Sequence, residues 1–307
     1  MSIERCTRQL GSTGRRGAKG DKAMSADSAV KELTTPVRTC PVCESTSSRP
    51  FLDFAEWRVN RCRSCGMVFL ANPPAYEYLS QEHAWTSSYE QESQSRRRRE
   101  PILHALEDVF RALRYRLRPD RLGRLIGAYG LDGCILDLGC GRGHRSVRKL
   151  PPTATPFGIE IEPGPARVAE QVFAQRGGTA WCVPALEGLS NLQDVSMDGA
   201  LLIAYLEHET QPGPVLGELA RVLRADAPVI IKVPNHASVN RWVRGRRWCG
   251  YRLPDHVNYF TPGTLKMLLA RCGFVVVRSR FTDHLPFSDG LWLVARRLDP
   301  ASPGSEK

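Results

Sequence analysis

The chain has 307 residues, 42% of them hydrophobic, and a formal net charge of +11. That length accommodates one full α/β domain with a sizeable core plus a smaller module. No run of eighteen apolar residues occurs, which excludes a transmembrane helix, and the N-terminus lacks the apolar segment of a secretory signal.

Ten cysteines in a chain without a signal point to thiols and metal binding rather than disulfides, and to a cytoplasmic location. The basic balance suits an anionic partner such as RNA, a nucleotide-linked substrate or anionic lipid, although a solvated basic surface gives the same count. Residues 1–36 are polar, rich in Gly, Ser, Lys and Arg, and read as a disordered basic tail. Met24 opens Met-Ser-Ala-Asp-Ser and is an alternative start. A basic arm for nucleic acid is the competing reading of this segment.

Residues 37–75 carry the first strong motif. Cys40-Pro41-Val42-Cys43 is followed after eighteen residues by Cys62-Arg63-Ser64-Cys65-Gly66. Two such knuckles match the four-thiolate zinc pattern, each presenting two sulfurs from one tight turn. Phe51–Phe54 and Trp57–Val59 can supply hairpin strands between them. A module this small buries too little apolar surface to fold by itself, so Zn2+ bound by Cys40, Cys43, Cys62 and Cys65 would stabilise it. A closed set of four thiolates leaves no open position, which predicts a structural ion. Asn72-Pro73-Pro74-Ala75-Tyr76 resembles the Asn-Pro-Pro-aromatic motif of amino-methyltransferases acting on nucleobases, but Ala75 interrupts it and the segment reads as an exit loop.

Residues 76–125 form an expected helical linker or lid. Arg96–Arg99 precede Ile102, Leu103, Leu106, Val109, Phe110, Leu113 and Leu117 at helical spacing. The arginine run reads as a solvated helix start, with phosphate contact as the alternative.

From residue 126 to 298 strands and helices alternate. Cys134–Leu138 is a short apolar strand containing Asp137, and it runs into the turn Gly139-Cys140-Gly141-Arg142-Gly143. Glycines there let a backbone approach a bound ligand where a Cβ would collide. Glu160 ends the second strand, twenty-one residues after Gly139, where an acid can grip ribose hydroxyls. Glu162 is expected to face solvent. Asp137 beside the turn would repel a pyrophosphate but favour an ammonium or sulfonium.

With these residues the region resembles a class I S-adenosylmethionine (SAM)-dependent methyltransferase. The resemblance implies a Rossmann-like seven-stranded α/β sheet, preceded here by the zinc ribbon and helical linker. It implies that Asp137, Gly139, Cys140 and Gly141 hold the methionine part of SAM and that Glu160 holds the ribose. Thr179–Val183 reads as the third strand, followed by Pro184-Ala185-Leu186 where the family often has an acid or polar residue. Asp198–Ala204 is the fourth strand, and Tyr205-Leu206-Glu207-His208-Glu209 after it resembles a segment of many small-molecule methyltransferases. A helix over Val215–Leu223 and a fifth strand over Val229–Val233 follow.

Asn240–Tyr251 interleaves Arg241, Arg244, Arg246 and Arg247 with Trp242 and Trp248. It suits either base and sugar stacking or a lid packed on its own domain. His256 through Pro262 again resembles the same enzymes and leads into a helix over Leu265–Cys272. Phe274–Arg280 and Gly290–Arg297 read as an antiparallel edge hairpin, and residues 299–307 as a tail.

Methyl transfer needs an aligned acceptor and, for a hydroxyl or acidic carbon, a proton acceptor. His256 and His208 are the candidates, with a loop-anchoring or site-shaping role as the alternative for each. The leading expectation is a methyltransferase for a small molecule, with nucleotide-linked sugars, glycans and natural-product intermediates as candidate classes. The alternatives are an RNA methyltransferase using the ribbon and basic lid, and a SAM-binding regulator without turnover.

Overall fold

The computed structural model describes residues 38–74 and 120–298. The expected tails, the helix over 102–117 and the Arg96–Arg99 run lie outside them. Eleven strands and seven α-helices are named here in chain order among the described residues. The ribbon supplies β1 (Ser48–Phe54), β2 (Trp57–Cys62) and β3 (Val68–Leu70). The α/β region begins with α1 (Arg121–Tyr129), whose N-terminus is capped by the Asp120 carboxylate accepting from the Gly123 amide.

Alternation then follows as β4 (Cys134–Leu138), α2 (His144–Lys149), β5 (Thr155–Glu160), α3 (Pro163–Ala174), β6 (Thr179–Cys182) and α4 (Ala185–Ser190). β7 (Gly199–Ile203), α5 (Pro212–Val222), β8 (Pro228–Pro234) and α6 (Val239–Arg244) come next. The chain closes with β9 (Asn258–Tyr259), α7 (Pro262–Arg271), β10 (Phe274–Arg278) and β11 (Gly290–Arg297). α3, α5 and α7 each begin on a proline, where the missing N–H costs nothing and the fixed φ suits the first turn. Both α5 and α7 start three residues earlier than the apolar periodicity alone predicts. Thr261 caps α7 in a reciprocal box with Thr264.

The large sheet has the order β10-β11-β8-β7-β4-β5-β6. β4 through β8 pair in parallel, while β11 runs antiparallel to both β8 and β10. Central strands β4, β5 and β7 are buried along their whole length, as strands covered by helices on both faces must be. The chain leaves β4 toward β5 on one side and returns as β7 on the other. The carboxyl ends of β4 and β7 therefore flank the crevice where ligands bind in such sheets. This is the fold class expected from the sequence.

The ribbon does not stand apart. Its antiparallel sheet is completed by β9, giving the order β1-β2-β3-β9 with Val68 opposite Tyr259 and Phe69 opposite Asn258. Val59, Val68, Leu70, Trp248, Tyr251, Val257 and Tyr259 form one buried cluster across the junction. Trp248 packs in that cluster and donates its indole N–H to Asp289 at 2.8 Å. Of the two readings of residues 240–251, packing therefore holds for Trp248 and Tyr251, whereas Trp242 is 77% exposed. Asn72 is an anchor of the exit loop: it accepts from the Arg58 amide at 2.7 Å and donates to the Glu56 carbonyl at 2.8 Å.

Asn258 and Arg38 tie the two sheets together. Asn258 Nδ2 donates to the carbonyls of Leu206 (2.8 Å) and Glu209 (2.6 Å), and its Oδ1 accepts from Arg38 at 2.9 Å. Arg38 also donates to the carbonyls of Leu70, Thr210 and Val257. Asn258→Ala would leave two buried carbonyls without their donor, a loss of about 1–3 kcal/mol for each group left unsatisfied. We expect a lowered denaturant midpoint with an unchanged slope, measured by urea unfolding of the full chain.

Candidate functional site

The turn after β4 is built on left-handed backbone. Gly139 has φ 67°, and a Cβ there would meet the Tyr205 ring at 2.9 Å; Gly141 has φ 55°. Non-glycine residues in this conformation lose roughly 1–2 kcal/mol each, which accounts for the glycines independently of any ligand. Glu160, at the end of β5, bridges the turn. Its Oε2 accepts from the Gly141 amide at 2.8 Å and its Oε1 from the Glu162 amide at 3.0 Å. Glu162 is buried, contrary to the expected solvent-facing position; it is the N-cap residue of α3, which begins at Pro163.

Asp137 is buried within β4 and accepts a hydrogen bond from the Ser146 hydroxyl of α2. Burial pushes its carboxyl up to about 7, with Glu160 adding repulsion and Ser146 and Arg145 opposing it. Burial likewise raises Glu160, against the amides of Glu162 and Gly141. Cys140 faces inward among Ala169, Val172, Phe173 and Ala180, so it offers the turn its backbone and not its thiol. Gly139, Ile159, Glu160, Ile161, Val183, Ala185 and Tyr205 line one pocket beside the turn. Val183 and Ala185 give it an apolar wall on the β6 side, where the sequence lacks a carboxylate.

Tyr205 opens the Tyr205–Glu209 segment, yet the motif gives it no role of its own. It follows β7 at the strand-order reversal, lies across Gly139, and donates its hydroxyl to Glu209 at 2.5 Å. Its position one residue after the left-handed Ala204 (φ 61°) is a tertiary fact with no sequence signature.

The two expected histidines do come together. His208 and His256 meet edge to face with ring centroids 4.7 Å apart, and both are buried. Each Nδ1 sits against a backbone carbonyl, Asp255 at 3.0 Å for His208 and Gly250 at 2.9 Å for His256. Carbonyls only accept, so Nδ1 carries the proton in each neutral ring and Nε2 carries the lone pair. Burial, with Arg252 nearby, lowers His208 to about 3. Burial, then His208 and Arg252, holds His256 well below its ordinary value. The carboxylate of Glu207 lies within 4.8 Å of the ligand nitrogens of both rings.

The ribbon cysteines Cys40, Cys43, Cys62 and Cys65 place all four Sγ atoms within 4.8 Å of one another, with Cys40–Cys65 and Cys43–Cys62 at 3.5 Å. A tetrahedral ion with bonds of about 2.3 Å to sulfur sets neighbouring sulfurs roughly 3.8 Å apart, so the donor set fits zinc. Eight of the described cysteines carry free thiols, the four of the ribbon among them.

A family of methyltransferase domains matches residues 105–279, and the chain, matched over more than half its length, belongs to this methyltransferase family. No curated protein sequence matches it. Among solved structures, a SAM-dependent methyltransferase from Methanosarcina mazei is 22% identical, covering 57% of this chain and 97% of its own, with a TM-score of 0.46. One from Archaeoglobus fulgidus is 18% identical, covering 61% and 99%, also at 0.46. Magnesium protoporphyrin IX methyltransferase from Synechocystis, with bound SAH, is 19% identical, covering 57% and 80%, at 0.45.

The raised Asp137 carboxyl makes the ligand-free protein pH-sensitive. A carboxyl whose folded pKa is about 7 against an ordinary 3.8 binds its proton more tightly folded than unfolded. Its contribution is full below the ordinary value and is lost as pH rises through the folded one. Urea midpoints measured from about pH 4 to about pH 8 should fall across that window, and less steeply in Asp137→Asn.

Proposed function

We propose that the chain transfers the methyl group of SAM to a small-molecule acceptor at the carboxyl ends of β7 and β8. The observation that carries this reading is the Glu160 carboxylate bound to the amide of the glycine turn, at the edge of a pocket with an apolar far wall. The residues fit SAM. Asp137 supplies negative charge for its ammonium and sulfonium, the Gly139-Cys140-Gly141 backbone allows close approach, and Glu160 suits the ribose hydroxyls. Val183 and Ala185 suit the adenine face. When bound, SAM supplies an electrophilic methyl on a sulfonium leaving group.

The protein's own part is alignment and exclusion of water. Tyr205, fixed through Glu209, forms one wall of the pocket between the cofactor turn and the β7 exit loop. His256 and His208 stand on the acceptor side as neutral rings whose Nε2 lone pairs can engage an acceptor proton or its substitute. Nucleotide-linked sugars, glycans and natural-product intermediates are the acceptor classes we favour. Zinc in the four-cysteine ribbon is structural in this reading, because β3 carries the ribbon's order directly to β9 and the acceptor loop. No helix among the described residues is long and apolar enough to cross a membrane.

Radiolabelled SAM and purified protein, incubated with lysate and fractionated into RNA, protein, glycan and small-molecule pools, test the reading. Label is expected in the glycan or small-molecule pool, falling at least about tenfold in Glu160→Ala through lost cofactor affinity. His256→Ala should lower turnover while SAM binding persists. Label confined to RNA would replace the substrate class, and SAM binding with no label anywhere would favour a regulator.

The ribbon is tested separately. Cys43→Ser should remove one equivalent of zinc by metal analysis and lower the melting temperature, since metal binding contributes directly to the folding of such modules.

A further inference from the structure

The acceptor-side loop holds a second constellation that the methyl-transfer reading leaves unexplained. Glu207, His208 and His256 each bring one potential ligand atom within 4.8 Å of the other two, and all three residues are buried. Glu207 Oε2 has no hydrogen-bond partner among the described residues although it is shut off from solvent. A buried carboxyl oxygen without a hydrogen-bond partner costs free energy, which a proton or a bound cation relieves. Both imidazoles are held by Nδ1–H against carbonyls, the arrangement that fixes the tautomer and ring orientation of a metal-binding histidine.

The supporting shell is rigid. The Glu207 carbonyl accepts from the amides of Val257 (2.7 Å) and Asn258 (3.1 Å), and Asn258 clamps the carbonyls of Leu206 and Glu209 on either side. These bonds hold the two chain segments carrying the three side chains in one register. Arg252, which pairs with Asp255 at 3.1 Å, and Lys232 act on Glu207 through space, and neither gives Oε2 a hydrogen bond.

We infer that Glu207, His208 and His256 form a divalent transition-metal site, distinct from the cysteine ribbon. Two imidazoles and one carboxylate suit Zn2+, Fe2+ or Mn2+ and disfavour the soft ions that a thiolate set selects. Three protein ligands leave at least one coordination position for a non-protein oxygen, unlike the closed ribbon set. In this arrangement the Nε2 lone pairs of His208 and His256 are committed to the metal, so the inference replaces the proton-accepting role given to them in the proposed function with metal binding. The inference rests on the loop geometry and is independent of the acceptor's identity and of SAM binding.

Cobalt spectroscopy on the full chain tests it. With the ribbon first filled by Zn2+, added Co2+ should produce a visible ligand-field band without thiolate-to-cobalt charge transfer, saturating at one equivalent. Glu207→Gln and His256→Asn should each lose that band, with the affinity for Co2+ falling at least about tenfold. When the metal-free variants are instead given Co2+ alone, an intact charge-transfer band from the ribbon shows that the chain is folded. Wild-type protein that takes up only ribbon metal overturns the inference, as does a second equivalent that persists in folded variants. Titration of the same samples with SAM reads the cofactor site separately, so failure of one reading is distinguishable from failure of the other.

Discussion

The structure depends on how the loop leaving β7 satisfies its buried backbone. Leu206, Glu207 and Glu209 present carbonyls inside the protein, where a missing donor costs more than the bond itself contributes. Asn258 supplies donors to Leu206 and Glu209, and the amides of Val257 and Asn258 supply Glu207. Arg38 completes the set by donating to Thr210, Val257 and Asn258 from the ribbon side. Burial lowers that guanidinium to about 10, which still leaves it charged at neutral pH and able to donate to all its acceptors. One network therefore positions the loop leaving β7, joins β3 to β9 and docks the ribbon.

A second constraint is electrostatic. Asp137, Glu160 and Glu207 lie buried at the carboxyl edge of the sheet, and desolvation raises all three. They differ in what meets the charge. Glu160 has two backbone amides, Asp137 has the Ser146 hydroxyl, and Glu207 Oε2 has no such partner among the described residues. A site that accumulates buried carboxylates is prepared for positive charge. In the proposed function a sulfonium cofactor meets that condition at Asp137, and in the inferred metal site a divalent cation meets it at Glu207.

Much of this was legible beforehand because it is local. The apolar run ending in Asp137 and the following glycines define a strand and a left-handed turn with few alternatives. The two cysteine knuckles define a four-sulfur set by residue type and spacing, and the structure brings those sulfurs together. Pro163, Pro212 and Pro262 each open a helix in the structure, whereas apolar periodicity alone puts α5 and α7 one turn late, since their first turns hold Pro and Gly. Glu162 was misjudged because solvent exposure after a strand depends on how tightly the following helix folds back, and α3 begins at the next residue.

The sequence by itself determined the methyltransferase sheet, its glycine turn and the four-cysteine ribbon, since each is written in residues close along the chain whose chemistry allows few conformations. Only the tertiary structure decided that the ribbon sheet borrows β9, that Tyr205 crosses Gly139, and that Trp248 packs inside while Trp242 stays exposed. It also decided that His256 meets Glu207 and His208. Those contacts join residues from about 40 to about 190 positions apart, and their free energy comes from burial and from shared hydrogen-bond networks, which no local pattern specifies.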